Sequence, residues 1–257
     1  MDFHFSLAGF VVGILVGLSG VGSSSLMLPI LVLLMGVSPL LAVGTDLAYS
    51  VPTKLVGAFM HSRQRTGNRR VVLFLALGGV PAAILGVLSL RWVESHVGIA
   101  ALNAELKHGL GILLFIVAVV VLLTPFILKK HNPDPYETVE RSKWRVIAVG
   151  AVVGYIVAIT SIGAGAITMT VLCLILPIVR LQDLVGSDVA FAALIVPVAA
   201  IGHVALGNVN WPMTGMLLVG SIPGVLLGTW LCKKMPTKWL RPTMAVAMAL
   251  AGTRMFA

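Results

Sequence analysis

Ten apolar runs follow one another through the whole chain, at about 3–20, 25–36, 39–60, 71–91, 107–129, 144–161, 165–179, 183–206, 212–231 and 239–256. The polar stretches between them are short, and the longest, Lys129 to Arg145, has the makeup of a loop, so no room is left for a separate soluble domain. With 58% hydrophobic and 11% charged residues, the chain carries more apolar surface than a soluble domain can hide. It reads as an all-α polytopic membrane protein of about ten transmembrane segments. The second and seventh runs are short against the roughly 20 residues of a full span. Each directly follows a Gly/Ser-rich break, Gly17-Leu-Ser-Gly-Val-Gly-Ser-Ser-Ser25 in one case and Ser161-Ile-Gly-Ala-Gly165 in the other.

The opening Met1-Asp2-Phe3-His4 lacks the positive start of a secretory signal, and no small-residue cleavage site follows the first run, so that segment is expected to be permanent. Cys173 and Cys232 both lie in apolar runs without metal-ligand spacing and read as small core residues. The net charge of +9 raises the possibility of nucleic acid, but its distribution argues against it. If all ten segments cross, one side collects fourteen of the eighteen Lys and Arg, in the connections at 63–70, 129–145, Arg180 and 233–241. Arg91, Lys107 and Arg254 fall on the other side, and Lys54 lies within a segment. This bias places the rich side in the cytoplasm, hence both termini outside the inner membrane. Membrane lipid is then an incidental partner, and no nucleic-acid partner is expected.

A shift of 142 residues brings GTDLA (44–48) onto GSDVA (186–190) and pairs His61 with His203, Asn68 with Asn210, Gly78 with Gly220, Pro81 with Pro223 and Gly86 with Gly228. A shift of 141 lays VGSS (21–24) on IGAG (162–165). The halves are related copies: 1–130 forms a first five-helix repeat, 131–143 a cytoplasmic loop, and 144–257 a second repeat. Five segments per copy is an odd number, so the second copy is inverted, an arrangement typical of secondary transporters with a central site. A duplicated scaffold that transports nothing is the bland alternative.

A broken helix in hydrocarbon is tolerated only where protein or a hydrated cavity surrounds it. Helix N-termini carry free N–H donors and partial positive charge, and small residues let a ligand approach them. If segments 2 and 7 both start near the midplane, two such ends face one pocket suited to a small anion, with the hydroxyls of Ser23, Ser24, Ser25 and Ser161 as further donors. Gly20, Gly22, Gly163, Ala164 and Gly165 supply the close-approach backbone. The competing reading is that small residues merely let helices pack tightly.

Lys54, costly inside a membrane, either pairs with Asp46 about two turns away, serves as countercharge for substrate, or snorkels to an interface. Val196 stands at its equivalent position. Asp46 and Asp188 each follow a hydroxyl residue, Thr45 or Ser187, and suit a coupling or gating role: carrying protons, binding a cation, or accepting hydrogen bonds from the broken helices. His61 and His203, near the ends of the third and eighth segments, either cap carbonyls or protonate at a gate. No HExxH, GxSxG, Walker motif or metal-spaced His/Asp cluster is present, so neither an enzyme, a resident metal nor a cofactor is expected. Gly150 and Gly154 form a GxxxG spacing that suits close helix packing or a homodimer.

The ordered series SGVGSSSLMLPIL, SPLLAVGTDLAYSVPTKLVGAFMH, RTGNRR and GGVPAAILG, then SIGAGAITM, VGSDVAFAALIVPVAAIGH, GNVNW and GSIPGVLLG, resembles the sulfite exporter TauE/SafE family over nearly the whole chain. The resemblance implies two inverted halves and movement of small sulfur-containing or organic anions. By position it assigns the breaks at Gly20 to Ser25 and Ser161 to Gly165, with Thr45, Asp46, Ser187 and Asp188, to the pathway. Ser23 and Ser24 stand where glycine is frequent in the family, and Ala164 with Ala166 narrow the second break. The expected function is a secondary transporter exporting a small anion by alternating access. The alternatives are a proton-coupled cation or metal carrier using Asp46 and Asp188, and a non-transporting scaffold or enzyme.

Overall fold

The computed structural model describes residues 2–19, 24–64, 66–129, 139–176, 179–232 and 240–256. Among them every regular element is helical: α1 (Asp2–Ser19), α2 (Ser24–Pro29) running on as a π-helical turn (Ile30–Leu34), α3 (Pro39–Arg63), α4 (Arg69–Val97), α5 (Ile99–Lys129), α6 (Lys143–Thr160), α7 (Ala166–Ile175), α8 (Leu181–Ala205), α9 (Trp211–Cys232) and α10 (Leu240–Arg254). Among the described residues five stretches are long and apolar enough to cross a membrane: Arg69–Val97, Ile99–Thr124, Val139–Thr160, Leu181–Ala205 and Trp211–Gly228. The protein is a multi-pass membrane protein. Rows of exposed Leu, Ile and Val, such as Leu77, Leu85 and Leu88 on α4 or Val219, Ile222 and Leu226 on α9, are the surface such a chain offers to lipid.

Local chemistry explains the helix ends. Asn68 caps α4, its side chain accepting from the amides of Arg70 at 3.0 Å and Val71 at 3.4 Å. Its repeat partner Asn210 caps α9 in the same manner, accepting from Met213 N at 3.0 Å. Pro39 opens α3, where a missing N–H costs nothing. The next free amide, Leu40 N, is taken by the Asn103 side chain of α5 at 2.9 Å. One boundary departs from the sequence reading: the fourth and fifth runs extend through 92–106 and are separated by Gly98 alone, at φ +85°. That stretch is polar enough to look like a loop, yet it is built largely of helix formers, and only the glycine turns the chain.

Packing pairs α1 with α9, α4 with α6, α3 with α8 and α5 with α10. Glycines set the closeness of the first two pairs. A Cβ on Gly150 or Gly154 of α6 would run into the backbone of Leu75 or Gly79 on α4. At the equivalent places, a Cβ on Gly9 or Gly13 of α1 would sit 2.5 Å from Leu217 O or 2.6 Å from Ser221 O on α9. Van der Waals contact between close backbones is what holds helices together once lipid has removed the hydrophobic drive. The GxxxG face at Gly150 and Gly154 is therefore used inside the chain, against α4.

Candidate functional site

The second break is built residue by residue. α6 stops because Ser161 adopts the left-handed conformation at φ +58°, the one non-glycine among the described residues to do so, with its N–H bonded to Val157 O at 2.7 Å. Gly163 and Gly165 follow at φ +126° and +109°, conformations that glycine tolerates. Thr160 and Thr168 stitch the loop: Thr160 Oγ1 accepts from Ile162 N at 3.2 Å, and Thr168 Oγ1 donates to Gly163 O at 3.3 Å. α7 then begins at Ala166. Backbone strain of this kind persists only where the surroundings hold it in place.

Two buried aspartates do the holding. Asp188, on α8, accepts from Gly165 N at 3.3 Å and interacts with the Thr168 hydroxyl, so it sits at the start of α7. Asp46, on α3 and fully buried, accepts from Ser161 Oγ at 2.6 Å, at the end of α6, and also interacts with the Ser24 hydroxyl at the start of α2. Ser161 Oγ and Ser24 Oγ lie 3.3 Å apart. The two breaks therefore meet, and the aspartates from both halves converge on them. Ser25 is buried in the first turn of α2, and Ala164 packs against the central core. Gly20, Gly22 and Ser23 lie outside the described residues.

Thr45 and Ser187, both fully buried, use their hydroxyls to hold the loop of the other half. Thr45 Oγ1 accepts from Asn210 N at 3.1 Å, and Ser187 Oγ accepts from Asn68 N at 2.8 Å. Lys54 is half-buried. The ion pairs among the described residues are Arg70–Glu140 and Arg180–Asp183, so Lys54 acts on the aspartates at longer range. His61 Nδ1 lies 2.8 Å from Thr66 Oγ1 at the end of α3. Its counterpart His203 is buried, with Nε2 donating to Ala158 O at 2.9 Å and Nδ1 without a partner. Among the described residues no group of three His, Cys, Asp or Glu is placed to hold a metal.

A sequence comparison decides what this arrangement belongs to: residues 5–255 match the family model described as Sulfite exporter TauE/SafE. The chain belongs to the TauE/SafE family. It is similar to the probable membrane transporter protein YjnA of Bacillus subtilis, at 36% identity over 99% of this chain and 100% of that protein. It is also similar to the probable membrane transporter protein YdhB of the same organism, at 28% identity over 96% of both chains. The probable membrane transporter protein MJ0441 of Methanocaldococcus jannaschii is 24% identical over 96% of this chain and 92% of that one. No solved structure matches. The protein is a membrane transporter of the TauE/SafE family.

Within this TauE/SafE chain the sequence reading brought Ser24, Ser161, Gly165, Asp46 and Asp188 together, as they are found. It missed Asp183, which accepts from Gly67 N at 3.4 Å, and it missed Ser50, buried one turn beyond Asp46 with its hydroxyl unpartnered. The signal for Ser50 was its spacing, because Asp46, Ser50 and Lys54 recur every four residues along α3.

Proposed function

We propose that the protein is a secondary transporter that moves a small anion, such as sulfite, a sulfonate or a related organosulfur or carboxylate anion, out of the cytoplasm by alternating access. The observation that carries this reading is the 3.3 Å approach of the Ser24 and Ser161 hydroxyls, which joins two interrupted helices at one place. Unwound backbone at such depth is tolerated where it lines a cavity, and helix starts there favour negative solutes. In this reading the starts of α7 and of the continuous Ser24–Leu34 helix, with Gly163, Ala164, Ser25 and the preceding Gly20, Gly22 and Ser23, line the anion site. Lys54 serves as its countercharge, while Asp46 and Asp188 set the gate.

The halves 1–130 and 144–257 are then inverted copies joined by a cytoplasmic loop at 131–143, with both termini outside. Equivalent contacts support this: α1 packs on α9 as α6 packs on α4, and Asn210 reaches Thr45 as Asn68 reaches Ser187. Thr45 and Ser187 hold the two copies in register behind the pathway. With the cell interior negative, each exported negative charge is favoured by roughly 2.3 kcal/mol per 100 mV, so export needs no coupling. The test is sulfite flux in reconstituted vesicles with an imposed potential and no pH gradient. Flux that rises with a potential drawing anions outward is expected. Flux indifferent to potential removes electrogenic export, and absence of sulfite flux removes the anion assignment.

A further inference from the structure

The two converging aspartates are not equally satisfied. Asp188 has a backbone amide, a threonine hydroxyl and the attraction of Lys54. Asp46 has the Ser161 hydroxyl on Oδ2, interacts with the Ser24 hydroxyl and feels Lys54, yet its Oδ1 is buried with no hydrogen-bond partner among the described residues. Four residues on, the Ser50 hydroxyl is likewise buried, 1% exposed, and unpartnered. Residues four apart lie on one helix face with Cβ atoms roughly 5–6 Å apart. The two orphan oxygens thus lie on one face of α3 without bonding each other, and a small guest held between them would satisfy both. The intervening Tyr49 hydroxyl is already engaged by Ser221.

We propose that Asp46 Oδ1 and Ser50 Oγ bind a monovalent hard cation, sodium. Charge selects the guest. Two carboxylates converge here with a single lysine, and among the described residues Asp46 makes no ion pair, so its buried charge has no counter-ion in contact. A bridging water would fill the gap but would leave that charge in place. A proton on Oδ1 would neutralise it but would leave the Ser50 hydroxyl unpartnered. A divalent ion is excluded by the ligand set, since a single carboxylate balances a single charge and no cluster of three acidic, His or Cys side chains stands nearby among the described residues. On α8 the equivalents of Ser50 and Lys54 are Ala192 and Val196, so the site exists in one half only.

The inference goes beyond the anion reading and is measured apart from it. Binding of radiolabelled sodium to the purified full chain in detergent, near neutral pH, is expected to be saturable and displaced by unlabelled sodium but not by choline. Ser50→Ala, which removes one ligand and leaves the fold intact, weakens it by about tenfold. Asp46→Asn abolishes it, and Thr253→Ala on α10 leaves it unchanged. Absence of saturable binding in the unaltered protein overturns the proposal, as does binding in Ser50→Ala equal to the original. Sulfite flux in vesicles, scored separately, shows whether the anion assignment survives that loss.

Discussion

α3 and α8 are 25-residue helices that a shift of 142 residues lays on one another, and they differ in a way that separates scaffold from chemistry. Their N-terminal halves do the same work. Gly44 on α3 receives the Asn208 carbonyl, and Gly186 on α8 receives the Thr66 carbonyl, each so close that a Cβ would overlap it. The next residue in each helix, Thr45 or Ser187, binds an asparagine amide of the opposite half, and the next again is an aspartate at a broken helix. Beyond that point the copies diverge. α3 continues Tyr49, Ser50 and Lys54 where α8 has Phe191, Ala192 and Val196, and α8 but not α3 is apolar enough to count as a span by composition. The two helices share their framework contacts, and only α3 carries the charged stripe.

The largest effect tests the shared framework. Gly44→Val and Gly186→Val each push a side chain into the opposing loop, and each should cost about 3 kcal/mol or more, seen as loss of monodisperse protein after extraction. Unequal outcomes would break the equivalence of the two helices. The next tests the divergence: Lys54→Met should cut sulfite flux about tenfold, equivalent to about 1.4 kcal/mol. Val196→Ala, at the matching place in the buried core, should lower melting temperature and leave flux per folded molecule unchanged. The smallest sharpens the symmetry, since Thr45→Val and Ser187→Ala each orphan one asparagine amide and should each cost about 1 kcal/mol in thermal unfolding, with similar shifts.

The helices were legible because apolar runs and small-residue breaks are local signals, and the repeat told which residues had counterparts. The convergence of the breaks was legible through that repeat, since related copies with interruptions at matched places imply a common site. What sequence could not give was contact across great separations. Asn68 meets Ser187 over 119 residues and Gly67 meets Asp183 over 116, and nothing near either partner announces it. Lys54 illustrates the same limit: its spacing pointed to Asp46 on its own helix, but packing of α3 on α8 brings it within electrostatic reach of Asp188 as well. Ser50 was overlooked because one serine in an apolar run looks like ordinary helix packing; its meaning depends on the carboxylate one turn earlier being left half-satisfied.

The account rests on the two broken helices meeting inside the protein. Ser24→Cys combined with Ser161→Cys, in a chain whose Cys173 and Cys232 are first replaced by alanine, tests this in native membranes. Hydroxyls 3.3 Å apart mean that thiols at the same two positions can reach each other. Rapid cross-linking under mild oxidation is the expected result; two thiols that stay reduced while each single variant remains folded would contradict it.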